Sequence, residues 1–287
     1  MSYRRIEVAR TAGALGAVVC GVDLAALDDE TFDEIRRALL DHLVLFFHDQ
    51  DLSIEAQKAF GQRFGRLHRH PYVAPVEDHP EVIEIVKEPA DVKNFGGGWH
   101  ADLTYLEQPM MGAVLYAQEV PAAGGDTLFA NMYLAYETLS PGLRGLLDGL
   151  AAVHDDRDTG YFDRARVGSM QLLDDDATSG AADVGTRAAH PVVRTHPETG
   201  RDALFVNQAV TVRFQDMSEA ESRPLLHYLF HHLERPEFTC RFRWRQGSVA
   251  LWDNRCTQHR ALNDYRGQRR AMRRVLIAGD RPYHQGD

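Results

Sequence analysis

Residues 238–246 read FTCRFRWRQ, and the alternation is strict: Phe238, Cys240, Phe242 and Trp244 occupy one set of positions while Arg241, Arg243 and Arg245 occupy the other. Successive side chains of a strand point to opposite faces, so this segment is a half-buried strand with an apolar inner face and a cationic outer one. GSVALWD (247–253) and AMRRVLIAG (271–279) follow as further strands. LVLFF (43–47) reads as a buried strand, and VIEIV (82–86) as another. RTAGALGAVVCGVDL (10–24) reads as a glycine-punctuated early strand or hairpin.

Helices are few and lie outside these strands. Phe32, Ile35 and Leu39 recur at helical spacing over 29–42. Ser53 caps a second helix carrying Ala56, Phe60 and Phe64, with Gly65 closing it. Ser140-Pro141 opens a short helix to about Leu150, and Ser218 with Glu221 forms a capping box for a helix through about His232. A mainly β core with peripheral helices is a double-sheet, jelly-roll (cupin-like) architecture rather than a βαβ fold. Residues 1–287 are expected to form one domain, with the polar, glycine-rich stretch 155–189 as a lid or insert.

With 42 acidic against 32 basic residues and a net charge of -10, nucleic acid and anionic membrane are excluded as main partners, which leaves small molecules. Only Lys58, Lys87 and Lys93 are lysines, so arginine is the default cation. Cys20, Cys240 and Cys256 are too few and too scattered for a disulfide framework or a cysteine zinc site. A cytoplasmic setting fits that usage. No leader-like segment with a small-residue cleavage site is evident, and no apolar run reaches membrane-spanning length. A homo-oligomer is the expected assembly.

GGGWHADLTYLE (96–107) carries the first chemical signal. In an extended 99–105 segment, His100 and Asp102 share a face and converge on one point. A third ligand would complete the 2-His-1-carboxylate arrangement of non-haem Fe(II) oxygenases. Fourteen histidines are available. His227, His231 and His232 are expected to face solvent from an outer helix, and His42, His48, His79 and His284 have no partner arguable from sequence. His259 follows a strand and a turn, and Arg270, Met272, Arg274 and Leu276 then share one strand face. Inward guanidiniums need anionic partners, and their planar fork suits carboxylates. The glycines resemble a phosphate cradle, but no helix follows to receive an anion. They fit better as a loop passing close to a metal pocket.

Taken together, QRFGRLHRHP, WHADLTY, EVPAAGGDTLFANMYLAYETLS, HPVVRTHPETGRDALFVNQ, WDNRCTQHRALNDY and RRAMRRVLIAGDRP resemble, in order and spacing, the taurine dioxygenase and 2,4-dichlorophenoxyacetate dioxygenase family of Fe(II)- and 2-oxoglutarate-dependent enzymes. The resemblance spans nearly the whole chain and implies a jelly-roll core. It implies that His100, Asp102 and His259 bind Fe(II), that Thr127 hydrogen-bonds a carboxylate of 2-oxoglutarate, and that Arg270 pairs with its distal carboxylate. Arg274 is implied to contact the substrate anion and the cosubstrate near the metal, and His70 to be a second substrate-anion contact. The resemblance also implies that Leu103 lines the site through its backbone and that Phe205 supplies an apolar wall. The activity implied is hydroxylation of a small organic anion (a sulfonate, sulfate ester or aryloxyalkanoate) by dioxygen, coupled to conversion of 2-oxoglutarate to succinate and carbon dioxide. Because Asp102 is present, where related halogenases carry a small residue, hydroxylation is favoured over halogenation. Taurine-specific members have a tyrosine where this chain has Val73 and an asparagine where it has Gly96. The reading of another class is a jelly-roll anion-binding protein without catalysis, or one holding zinc.

Overall fold

A computed structural model describes residues 3–156 and 186–286. Its frame is a nine-stranded sheet facing a three-stranded one. The large sheet runs in the order Glu7–Arg10, Ala17–Cys20, Val44–Phe47, Val249–Asp253, Met110–Glu119, Arg270–Ala278, His79–Lys87 and Pro75–Val76, with Leu67–His68 also on the 270–278 strand. The small sheet is Thr239–Phe242, Thr127–Asn131 and Thr257–Ala261. This is the jelly-roll core, and the expected early hairpin is the antiparallel 7–10/17–20 pair.

The apolar runs that obscure alternation in sequence are strands covered on both faces. In Val44–Phe47, Val44 and Phe46 enter the core between the sheets, while Leu45 and Phe47 enter a second core beneath the helices. Ala250 and Trp252 point inward in the same way, and Val249 and Leu251 outward. The outer core is closed by helices Asp29–His42 and Ile54–Gln62, which bring Ile35, Leu39 and Phe60. Asp28 caps the first helix through Thr31 N at 2.7 Å, and Ser53 caps the second through Ala56 N at 3.1 Å. The second helix stops at Gln62, before the expected Gly65. Pro141–Leu147 is likewise shorter than the expected helix to Leu150.

Ser218 and Glu221 form the expected capping box of Glu219–Leu233. His227 and His231 are exposed on that helix, but His232 is not. Its Nε2 lies 3.0 Å from Ala135 O and 3.1 Å from Thr138 Oγ1, because the Met132–Glu137 helix packs on this face. His48 also has a partner, Ser248 Oγ at 3.2 Å, and His79 lies 3.7 Å from Glu55. Both contacts join residues distant in sequence. The expected 155–189 insert lies largely outside the described residues, but its ends are regular: Asp155 closes the Ala151–Asp155 strand, which pairs with Arg187–Pro191.

The two sheets meet through aromatic rings. Phe46 stacks on Phe242 with centroids 3.9 Å apart and planes within 2°, and lies 5.6 Å from Phe129. Phe46→Ala would open a cavity between the sheets. The expected cost is about 3–5 kcal/mol, read as a lower urea midpoint at unchanged slope.

Candidate active site

The small sheet ends on the 257–261 strand, and the free edge of that strand takes one more residue. His100 N donates to His259 O at 3.1 Å and His259 N donates to His100 O at 2.8 Å, an antiparallel bridge outside the named strands. The bridge sets the two imidazoles side by side, with ring centroids 4.1 Å apart and planes tilted by 47°. Residues 99–105 are therefore not a strand, contrary to the sequence expectation. The chain turns from Asp102 to Tyr105, with Leu103 in the left-handed region at φ 53°. Asp102 reaches the same point as His100 by a turn and not by strand alternation.

Asn254 holds that turn. Its Oδ1 accepts from Asp102 N at 2.8 Å, and its Nδ2 donates to Asp102 O and Met110 O, both at 3.1 Å. From another side, His190 Nε2 lies 2.9 Å from Thr104 O and 3.0 Å from Leu106 O, while Asn207 Nδ2 donates to Thr104 Oγ1 at 2.8 Å. Sequence reading missed these three residues. Their quoted motifs, WDNR, HPVV and LFVNQ, were the available signal, but each side chain acts on a partner more than 80 positions away.

His100, Asp102 and His259 are buried and present ligand atoms all within 4.8 Å of one another. His100 Nδ1 is 2.8 Å from Gly98 O. A carbonyl can only accept, so Nδ1 carries the proton and Nε2 keeps its lone pair. That Nε2 is 3.9 Å from Asp102 Oδ1, and His259 Nε2 is 3.9 Å from Asp102 Oδ2. Asp102 Oδ2 is buried with no hydrogen-bond partner among the described residues. Two imidazole nitrogens and one orphaned carboxylate oxygen are a donor set suited to Fe(II) with positions left open, so the residues fit that ion. Burial alone would raise the Asp102 pKa, but the Arg274 guanidinium beside it leads the opposing influences that hold it at about 2. Burial pushes His100 and His259 down, keeping both neutral and able to ligate.

A pocket brings His100, His259, Thr127, Arg270 and Arg274 to one surface, with Ile85, Phe95, Leu115 and Trp252 as its apolar wall. Arg270 and Arg274 share the inner face of their strand, as the spacing requires, and Arg273 points outward to Gln57 Oε1 at 2.7 Å. Arg274 donates to Asp102 Oδ1 at 3.1 Å. Arg270 is buried, and its Nε and Nη2 have no partner among the described residues. Gly96 also lines the pocket, at φ 72°, and a Cβ there would lie 3.1 Å from His100 Cε1. The glycine stretch thus passes tightly over the His100 ring.

His70 is buried, and its Nδ1 accepts from Tyr72 N at 3.2 Å and Val73 N at 3.1 Å. Its Nε2 is therefore the protonated nitrogen. Burial first, then the charge of Arg274, lower its pKa to about 3, so it is a neutral N–H donor and not a cation. Phe205 does not join the main pocket. It lines a second, small cavity with Ala101, Thr104 and His154. A second metal-like group, His196, Asp253 and Cys256, is closed by its own bonds. Asp253 accepts from Arg255 Nε at 2.8 Å, Arg255 Nη2 at 2.6 Å and His196 Nε2 at 3.0 Å.

Residues 7–276 match the family described as "Taurine catabolism dioxygenase TauD, TfdA family". The chain belongs to that family. It is 36% identical over 283 residues to an alpha-ketoglutarate-dependent sulfate ester dioxygenase of Pseudomonas putida, covering 96% of this chain and 91% of the relative. It is 34% identical over 285 residues to a (S)-phenoxypropionate/alpha-ketoglutarate-dioxygenase of Sphingobium herbicidovorans, covering 96% and 95%. The crystal structure of a taurine dioxygenase from Burkholderia xenovorans superposes with a TM-score of 0.82 at 36% identity, covering 99% of this chain and 94% of that one. The protein is a non-haem dioxygenase whose cofactor is Fe(II) and whose cosubstrate is 2-oxoglutarate.

Because Asn254 Oδ1 accepts the backbone N–H of Asp102, and its Nδ2 donates to two buried carbonyls, Asn254→Ala leaves buried polar groups without these partners. We expect a loss of about 1–3 kcal/mol in unfolding free energy and about 10–100-fold weaker Fe(II) binding, measured by denaturant titration and anaerobic metal titration.

Proposed function

We propose that the protein hydroxylates a small organic anion, with sulfate esters, sulfonates and aryloxyalkanoates as the candidate classes, and that His100, Asp102 and His259 hold its iron. The observation that carries this reading is the convergence of those three side chains beside two buried guanidiniums on one strand face. Bound there, Fe(II) supplies the activation of dioxygen that couples decarboxylation of 2-oxoglutarate, to succinate and carbon dioxide, with hydroxylation of the substrate.

The chain's own part is placement. Arg270, with two unpaired N–H groups in a buried pocket, receives the distal carboxylate of 2-oxoglutarate, and Thr127 donates to the same carboxylate. Arg274 stands between Asp102 and the pocket, with its guanidinium 5.5 Å over Phe95, and is the cation for the substrate anion. His70 adds a neutral N–H donor. Leu103 follows the carboxylate ligand in the turn and offers backbone to the site, while Phe205 is assigned to the substrate side at one remove, through the second cavity. The wall of Ile85, Phe95 and Leu115 suits an alkyl or aryl body and excludes water from it. Hydroxylation at the carbon bearing a sulfate or ether oxygen gives an unstable product that fragments. Sulfate ester and phenoxypropionate dioxygenases among the relatives support these classes.

A zinc protein without oxidative chemistry has no use for the Thr127 and Arg270 clamp, which disfavours that alternative. The same reading takes one domain that works in the cytoplasm as a homo-oligomer on free small molecules, without nucleic acid or membrane. Among the described residues no helix is long and apolar enough to cross a membrane.

The test is succinate release from 2-oxoglutarate with Fe(II) and dioxygen, across alkyl sulfates, alkylsulfonates and aryloxyalkanoates. At least one class is expected to stimulate release together with its own oxidation product, and Asp102→Ala is expected to abolish both. The absence of succinate formation with every class, and equally without substrate, would overturn the reading. His70→Ala is expected to raise the substrate KM about tenfold, the scale of a lost hydrogen bond to an anion, while leaving the KM for 2-oxoglutarate within about twofold.

A further inference from the structure

Trp244 is the last apolar residue of the alternating FTCRFRWRQ segment, two positions beyond the end of the Thr239–Phe242 strand, and it is buried. Its indole Nε1 donates to Thr127 Oγ1 at 2.9 Å, with both side chains buried. The same ring lies 5.7 Å from the Arg270 guanidinium carbon. Thr127 and Arg270 therefore flank one end of the pocket, and Trp244 touches both.

The consequence follows from hydrogen-bond counting. A threonine hydroxyl has one proton to give and two lone pairs, whereas an indole N–H can only donate. With Trp244 on one lone pair, the hydroxyl cannot direct its own proton toward the indole. Thr127 Oγ1 has no acceptor among the described residues, so its proton is left to point into the pocket that Thr127 lines with Arg270. Without the indole donor, the hydroxyl is free to rotate and to present a lone pair to an incoming carboxylate, which repels it. Packing of the indole face against Arg270 also limits the positions open to that guanidinium.

We propose that Trp244 is a positioning residue for cosubstrate selection: it orients the Thr127 hydroxyl as a donor to the distal carboxylate of 2-oxoglutarate and so contributes to the preference for a dicarboxylate over a 2-oxo monocarboxylate. This rests on the assignment of Thr127 and Arg270 to the cosubstrate. Trp244 does not itself touch the reacting atoms.

The experiment is anaerobic calorimetric titration of Fe(II)-loaded protein with 2-oxoglutarate and, separately, with 2-oxobutyrate, which lacks the distal carboxylate. Trp244→Phe keeps a ring and removes the donor. It is expected to weaken 2-oxoglutarate about three- to tenfold, the scale of one neutral hydrogen bond, and to change 2-oxobutyrate less than about twofold. Thr127→Val is expected to show the same selectivity loss and Thr127→Ser to restore it. Adding Trp244→Phe to Thr127→Val is expected to weaken 2-oxoglutarate by no more than about a further twofold, because the two residues act through one hydroxyl. Trp244→Leu repeats the measurement with a second side chain that has no donor, and thermal melts establish which variants are folded. Equal weakening of both ligands, full additivity of the double variant, or unchanged 2-oxoglutarate affinity in a folded Trp244 variant would overturn the inference. If the unsubstituted protein bound 2-oxobutyrate as well as 2-oxoglutarate, the assignment of Thr127 and Arg270 would fail first.

Discussion

The reciprocal backbone pair between His100 and His259 is the contact on which the site depends. It adds one residue to the free edge of the small sheet. That residue brings a loop from the segment before Met110–Glu119 across to a strand more than 150 positions later. Two hydrogen bonds of this kind contribute little on their own, about 1 kcal/mol each. They place both imidazoles on one side of a rigid ladder, whose strand pairs in full register with Thr127–Asn131. Everything else in the pocket is arranged about that fixed pair. Asn254 sets the turn that delivers Asp102, Gly98 O selects the His100 tautomer, and Gly96 leaves room above the ring.

The neighbouring strand poses the opposite problem. Arg270, Arg273 and Arg274 are all buried on Arg270–Ala278, and burying guanidiniums is costly without partners. Arg273, facing outward, is satisfied by Gln57 and by Leu52 O. The inward pair is not equally provided for: among the described residues, Arg274 has Asp102 for one N–H and no partner for Nε, while Arg270 has two groups without partners and an aromatic neighbour. A fold that satisfies the structural arginine fully and the two pocket arginines incompletely keeps binding capacity where small anions arrive. Burial accordingly lowers the Arg270 pKa, a bias that an incoming carboxylate reverses.

Much of this was legible in one dimension because it depends on short-range periodicity. Alternation over 238–245 and the inward set Arg270, Met272, Arg274 and Leu276 are properties of a strand, and the capping residues Ser53, Ser140 and Ser218 act within three positions of themselves. The errors have the same origin. An extended 99–105 segment predicts the convergence of His100 and Asp102 for the wrong reason, since the actual turn is held by Asn254 from the other end of the chain. His232 looked solvent-facing because only tertiary packing brings Ala135 and Thr138 to it.

The sequence alone determined the β-rich frame, the identity of the three candidate ligands and the shared face of the two arginines, because strand periodicity and motif spacing are local. The tertiary structure decided the rest: which edge His100 joins, which nitrogen of His100 keeps its lone pair, which arginine is already satisfied, and that Trp244 stands behind Thr127. Those outcomes depend on hydrogen bonds between residues far apart in the chain, and such a bond exists only once the sheets have closed on one another.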